Sequence, residues 1–228
     1  MVQQFAFDFG NAPIPRLENF IGHPDVVVAL TQLLNHPGTD LGARSMYLFG
    51  ASGSGRSHLL AASCAAVQSC GGMSCSLGAT SLVRDFAYFP EITLYTVDDV
   101  DQLDDMGQIA LFNLFNQIQS DQILLCAGIE APLGLRVRED LRTRLGWGLV
   151  FRLTSLDDEQ KIMAFTQAAQ ERGLNISPEV PNWLIKHYRR DLNSMMGLLD
   201  ALDQFSLEKK RPVTLPLMRE LLAVLRKS

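Results

Sequence analysis

Long apolar runs are missing from this chain. Across its 228 residues, no stretch reaches the roughly 18 apolar residues of a membrane-spanning helix, which excludes a helical membrane protein. Cysteine is scarce and poorly spaced for metal. Cys64, Cys70, Cys75 and Cys126 form no C-x-x-C pair. That spacing argues against zinc and suits small buried thiols in a reducing cytosol. Positive charge is in deficit: 20 lysines and arginines against 25 aspartates and glutamates give a net charge of −5. A broad basic footprint for nucleic acid is therefore not expected, although a local patch stays open. The opening MVQQFAFDFG lacks a basic start and a long apolar core, so no signal peptide is expected. The remainder is an ordinary soluble composition, 47% hydrophobic and 20% charged. Its length fits one larger domain and one small one.

The stretch MYLFGASGSGRSHLL, residues 46–60, organises the rest. It reads as an apolar strand, a glycine-rich turn and the start of a helix. Residues 50–57 have the spacing of the P-loop, G-x-x-x-x-G-K-[ST], with Arg56 standing where lysine is expected. Glycines at 50, 53 and 55 let backbone N–H groups converge on an anion without Cβ clashes. A helix opening near Ser57 adds its positive dipole end. The Ser57 hydroxyl is suited to a magnesium ion riding on phosphates. A mere flexible glycine-serine linker would not need a strand before it and a helix after it.

The rest of the chain supplies the frame. Phe5, Phe7 and Phe9 alternate in the first ten residues, and Pro13 and Pro15 follow as an extended linker. That segment is either an edge strand on the protein's own sheet or a short linear motif for a hydrophobic pocket elsewhere. A helix begins at Pro24 and ends before His36. After the loop comes a helix to about residue 69, a strand at 73–77, and a short helix within 80–89 capped by Thr80 or Ser81. The strand EITLYTVDD ends in Asp98 and Asp99, about 40 residues beyond the loop, which is the Walker B arrangement of a P-loop NTPase. In that arrangement Asp98 holds magnesium through water and Asp99 polarises the attacking water. A helix at 107–119, with Phe112 and Phe115 in the core, leads to a strand at 123–127. A helix at 137–145 and a fifth strand at 149–153 complete the pattern. Arg144 on that helix reads, by itself, as a solvated or salt-bridging arginine. Beyond residue 154 only helices follow: 157–172, one capped by residues 177–179, 191–205, and a last one ending at Leu225. Alternating strands and helices predict a parallel five-stranded sheet with its ligand at the carboxyl ends of the strands, followed by a small all-α lid. The expected divisions are residues 1–15 as a motif and linker, 16–154 as the α/β base and 155–228 as the lid.

These features resemble an AAA+ ATPase module. More narrowly, ENFIGHPDVVVAL, GASGSGRSHLL, VDDVDQL, LRTRLGWGLVFRL and MMGLLDALDQF are similar to the DnaA-related AAA+ proteins, and above all to their Hda-type members. The resemblance implies binding of ADP or ATP with Mg2+. Its nucleotide contacts would be Phe20 and Ile21 at the adenine, and Gly50, Ser52, Gly53, Ser54, Gly55, Arg56, Ser57 and His58 around the phosphates. Ser57 and Asp98 would hold the metal. Arg144 matches the arginine finger that reaches a neighbour's γ-phosphate. Gln4, Phe5, Phe7 and Phe9 match the family's motif for the sliding clamp of the replicative polymerase. The implied role is a cytoplasmic negative regulator of replication initiation that docks on the clamp and stimulates hydrolysis of ATP held by DnaA. A homo-oligomer stays open.

Three departures bear on hydrolysis by this chain alone. Arg56 replaces the P-loop lysine, a change that Hda-type proteins share, and its bulkier fork suits a diphosphate better than a γ-phosphate. The sensor 1 region, residues 126–132, lacks the usual polar residue. The sensor 2 arginine of the lid aligns with Asn193, with Arg189 or Arg190 as substitutes. Two competing functions follow from the same residues. An independent ATPase of the helicase-loader or remodelling type is favoured by the intact Asp98 and Asp99. A DNA-binding module is disfavoured by the acidic charge and by the absence of a helix-turn-helix segment after the lid, so no sequence-specific DNA reading is expected.

Overall fold

Five strands pair in the order β2-β3-β4-β1-β5, every pair parallel: β1 (Ser45–Phe49), β2 (Met73–Leu77), β3 (Ile92–Val97), β4 (Ile123–Gly128) and β5 (Leu149–Arg152). The structure is a computed structural model that describes residues 14–35, 44–188 and 191–225. β4 is ILLCAG and buried along its whole length, the continuous apolar run required of a strand covered on both faces. β2 lies at the edge and alternates Ser74 and Ser76 with larger residues.

Side-chain alternation sends Met46 and Leu48 to one face of the sheet and Tyr47 to the other. On the first face, α1 (Pro24–Asn35) contributes Val26, Leu30 and Leu33, and α2 (Arg56–Ser69) contributes Leu59, Leu60 and Val67. The opposite face is covered by α3 (Asp105–Gln117) through Leu111 and Leu114, and by α4 (Glu139–Leu145) through Leu141 and Leu145. Each such leucine contributes about 1.5–3 kcal/mol by burial, so the two clusters fix the sheet between its helices.

That order puts β4 between β1 and β3. Their carboxyl ends are therefore about 10 Å apart, two strand spacings. Ladder bonds continue past the strand ends: Gly50 N–H donates to the Gly128 carbonyl at 3.2 Å and Asp98 N–H to the Leu77 carbonyl at 3.0 Å. Backbone pairing thus fixes both chain segments at one edge.

Two compact units divide the chain, Pro15–Ser155 and a second containing Leu156–Ser228. The second unit is helical: α5 (Asp158–Glu171), α6 (Glu179–His187), α7 (Leu192–Lys209) and α8 (Leu215–Leu225). Asp157 and Gln160 form a reciprocal capping box at the start of α5, and Gly173 follows its end at φ +70°. Phe165, Leu184, Met195, Leu199, Leu202 and Leu221 meet in its core. Arg172, at the C-terminal cap of α5, donates to Asp200 of α7 at 2.6 Å.

Several sequence expectations need correction. The short helix expected within 80–89 is a single turn of 3-10 helix, Val83–Phe86, and its expected cap is not used. The Ser81 hydroxyl accepts from the Gly78 N–H instead of capping a helix, and Asp85 accepts from the Leu82 N–H. Pro178, within the expected cap of 177–179, stands at the start of α6 with no side-chain cap, and the Ser177 carbonyl accepts from the Val180 N–H at 2.9 Å. α7 runs a turn longer than expected, ending at Lys210 in the left-handed region. The cysteines are not uniformly buried: Cys64 and Cys126 are, Cys75 is half-buried and Cys70 is exposed. Phe112 and Phe115 are both half-buried, and Phe115 packs against the core.

Candidate nucleotide site and the arginine of α4

The loop between β1 and α2 needs its glycines for two different reasons. A Cβ on Gly50 would collide with the Leu153 carbonyl oxygen. Gly53 and Gly55 adopt φ of +80° and +95°, which other residues reach only with strain. No side chain caps α2 at Gly55, so the positive end of the helix opens on the loop.

Two acids at the end of β3 meet this loop. The Ser57 hydroxyl donates to Asp98 Oδ2 at 2.5 Å, and Arg56 Nη2 donates to Asp99 Oδ1 at 3.1 Å. Asp99 sits at φ +47°, and its N–H donates to Asp98 Oδ1 at 2.8 Å, which turns the two carboxylates toward different partners. Arg56 is largely buried, with its side chain 11% exposed, while that of Asp99 is 49% exposed. Burial pushes the Asp99 carboxyl above its ordinary range; the neighbouring Asp98 charge adds to this and Arg56 opposes it.

Two buried polar atoms of the loop have no hydrogen-bond partner, Ser54 Oγ and Arg56 Nη1. Leaving a buried donor unmatched costs about 1–3 kcal/mol, more for a charged one. An anion rich in oxygen atoms would satisfy both. The donor set therefore fits nucleotide phosphates. Ser57 and Asp98 offer the hard oxygen ligands that magnesium prefers.

A wall for the base lies beside the loop. The Phe20 ring packs on Gly55, where a Cβ would strike it, and stands 5.7 Å from the His58 ring at a 38° tilt. Ile21 is half-buried next to it, and Ser52 is exposed at the loop's crest. The segment is fixed from behind. His23 Nε2 accepts from the Thr154 N–H at 2.9 Å, tying the entry of α1 to the exit of β5.

At the end of β4 the side chain in the sensor position is Ile129, 49% exposed and apolar. Its N–H is held by Asp101 Oδ1 at 3.0 Å. The Tyr47 hydroxyl donates to the Glu130 carbonyl at 2.9 Å, and a Cβ on Gly128 would collide with that hydroxyl. Burial pushes the Tyr47 phenol well above its ordinary value. Tyr47 and Asp101 thus shape this corner, yet neither carries a sequence signal. A lone tyrosine in an apolar strand looks like core.

Arg144 lies on α4. Its Nη2 donates to Asn116 Oδ1 of α3 at 2.6 Å. The guanidinium carbon is 4.2 Å from the Trp147 ring centroid and 5.8 Å from that of Phe112. Trp147 is 68% exposed. None of these contacts belongs to the phosphate loop. The structure brings Phe20, Gly50, Gly53, Ser54, Gly55, Arg56, Ser57, His58, Asp98 and Asp99 into one neighbourhood, with Arg144 in a separate cluster. Asn193 is exposed in the first turn of α7. Gln4, Phe5, Phe7 and Phe9, and likewise Arg189 and Arg190, lie outside the described residues.

Residues 158–222 match the family described as Hda, lid domain. An uncharacterised protein of Haemophilus influenzae is 32% identical over 229 residues, a span covering 90% of this chain and 92% of that protein. Among solved structures, domain III of the Thermotoga maritima replication initiation protein DnaA superposes with a TM-score of 0.77 at 22% identity, covering 92% of this chain and 96% of that one. AMPPCP-bound DnaA from Aquifex aeolicus superposes with a TM-score of 0.68 at 21% identity, covering 86% of this chain and 67% of that one.

Proposed function

We propose a function from one premise: the chain belongs to the Hda-type branch of the DnaA-related AAA+ family. It is a nucleotide-bound regulator of replication initiation, and the ATP it causes to be hydrolysed is held by DnaA. One contrast carries this reading. Asp99, the carboxylate that would polarise an attacking water here, is paired with Arg56, whereas Arg144 forms no ion pair among the described residues.

The chain's own loop serves as a holding site. Arg56 and Ser54 would take phosphate oxygens, Gly53 and Gly55 would let the backbone approach them, and Phe20 with His58 would flank the base. Ser57 and Asp98 would hold magnesium, which when bound supplies neutralising charge between phosphate groups. Arg56 can bridge two phosphate oxygens through its fork, a geometry suited to ADP. Ile129 offers no polar contact for a γ-phosphate. Together these favour retention of nucleotide over turnover, and the AMPPCP-bound DnaA of Aquifex aeolicus, similar in fold, supports nucleotide binding. Arg144 is the working group toward the partner: a guanidinium stabilises the charge that develops on phosphoryl oxygens during transfer.

Docking on the sliding clamp is assigned to Gln4, Phe5, Phe7 and Phe9, whose glutamine and alternating apolar residues suit a hydrophobic pocket. In a binding titration the intact chain is expected to bind the clamp with roughly micromolar affinity, and a Gln4→Ala, Phe7→Ala, Phe9→Ala variant at least about tenfold more weakly. Equal binding by both would remove the motif from the reading. No helix among the described residues is long and apolar enough to cross a membrane, and a cytoplasmic setting follows from the proposed partners.

The second reading, an independent ATPase, is favoured by the Ser57–Asp98 contact, which brings together the two side chains proposed to hold magnesium. Turnover of ATP by the isolated chain separates the two. A rate of about one per second or more, in the ordinary range for enzymes, would favour the second.

A further inference from the structure

We propose that Asn116 is a positioning residue for Arg144 and that its neutrality is what the site requires. The inference rests on the finger reading above. It starts from the company that Arg144 keeps. Among the described residues its hydrogen bond goes to an amide oxygen at 2.6 Å, and its other neighbours are the faces of Trp147 and Phe112. Among the described residues no carboxylate lies within ion-pairing distance of it. The other arginine of the candidate chemistry is treated in the opposite way, since Arg56 is matched to Asp99.

These holders fix geometry and leave charge. An unheld arginine loses considerable side-chain entropy when it is ordered against a partner. The amide oxygen takes one of five N–H donors, and the indole face restricts the guanidinium plane through a cation–π contact. The remaining donors and the full positive charge stay available for an anion that arrives from another molecule. A carboxylate in place of the amide would hold the fork equally well. It would also cancel its charge and set a negative group beside the incoming phosphates.

Asparagine and aspartate are nearly the same shape, so the substitution series separates holding from neutrality. If Asn116 only holds, Asn116→Asp keeps the acceptor and outperforms Asn116→Ala. If neutrality matters, the order reverses. The test is single-turnover hydrolysis of ATP preloaded on DnaA, with DNA-loaded clamp and saturating amounts of ADP-bound chain. Asn116→Asp is expected to lower the maximal rate by about tenfold, and Asn116→Ala by about threefold. ADP affinity and melting temperature of both variants are expected to match those of the parent, since neither residue touches the loop. Asp retaining as much stimulation as Ala, or more, would overturn the neutrality of Asn116. Arg144→Ala in the same assay keeps the two levels apart. If that variant stimulates normally, the finger reading itself falls and this inference with it. If it fails while Asn116→Asp works, only this inference falls.

Discussion

Arg144→Ala is expected to bind ADP as the parent does and to leave hydrolysis of DnaA-bound ATP at its unassisted rate, a loss of about a thousandfold or more. The size follows from where the charge acts. In a docked interface water is excluded and the effective dielectric falls, so one correctly placed guanidinium stabilises a developing phosphoryl charge far more than it could in solvent. The truncation removes the charge and the fork together. Arg144→Lys is the informative companion. It restores a charge on a flexible stem but cannot reproduce the planar donor pair held between Asn116 and Trp147. Recovery of only a small part of the rate is expected. Single-turnover assays with labelled ATP measure both variants, and a titration of ADP into each checks that the loop is intact. Normal stimulation by Arg144→Ala would remove the finger assignment.

Arg56→Ala is expected to weaken ADP binding by about a hundredfold or more. A charge-assisted hydrogen bond contributes about 1.5–3 kcal/mol, and the fork can supply two. A second effect has the same sign. Without Arg56, the Asp99 carboxylate loses its partner and stands beside Asp98, so two like charges face the incoming phosphates. A double-mutant cycle separates the two contributions. Asp99→Asn alone releases Arg56 from its ion pair, and tighter ADP binding, by about threefold, is expected. The Arg56→Ala, Asp99→Asn protein should recover part of the loss. The recovered part measures the repulsion and the remainder measures the lost contacts. Calorimetric titration of ADP reads all four proteins. Parental affinity in Arg56→Ala would mean that the phosphates are held by backbone and helix end alone.

The frame was legible because its signals are local. The glycine spacing at 50, 53 and 55 reports backbone needs that the structure meets with positive φ at 53 and 55 and with a close carbonyl at 50. The run at 123–127 reads as a strand and the structure buries it along its whole length, and the EITLYTV segment ends with its two acids beside the loop. The helical spacing of Leu192, Met195, Leu199 and Leu202 was enough to place α7.

Pairings across the fold were not legible. Arg56 and Asp99 are far apart in sequence, and their ion pair depends on the left-handed backbone at Asp99, which nothing in VDDVDQL announces. The Asn116–Arg144–Trp147 cluster joins two helices through side chains that each look like ordinary surface. Phe112 reads as core by its spacing, yet it is half-buried because it forms one wall of that cluster. Short segments were also ambiguous. Ser81 can cap a helix or close a turn, and here it accepts from the Gly78 N–H while Asp85 accepts from the Leu82 N–H at the start of the short 3-10 helix.

Which protein's nucleotide turns over is the question that separates a regulator from an ATPase, and a label-swap experiment answers it. In one mixture DnaA carries radiolabelled ATP and this chain carries unlabelled ADP, with DNA-loaded clamp present. In the other, this chain carries the labelled ATP and DnaA carries ADP. Release of labelled phosphate in the first mixture only is the predicted result. Release in the second, or release from this chain alone at a comparable rate, would contradict a regulator acting through Arg144 and would make the chain's own loop the catalytic site.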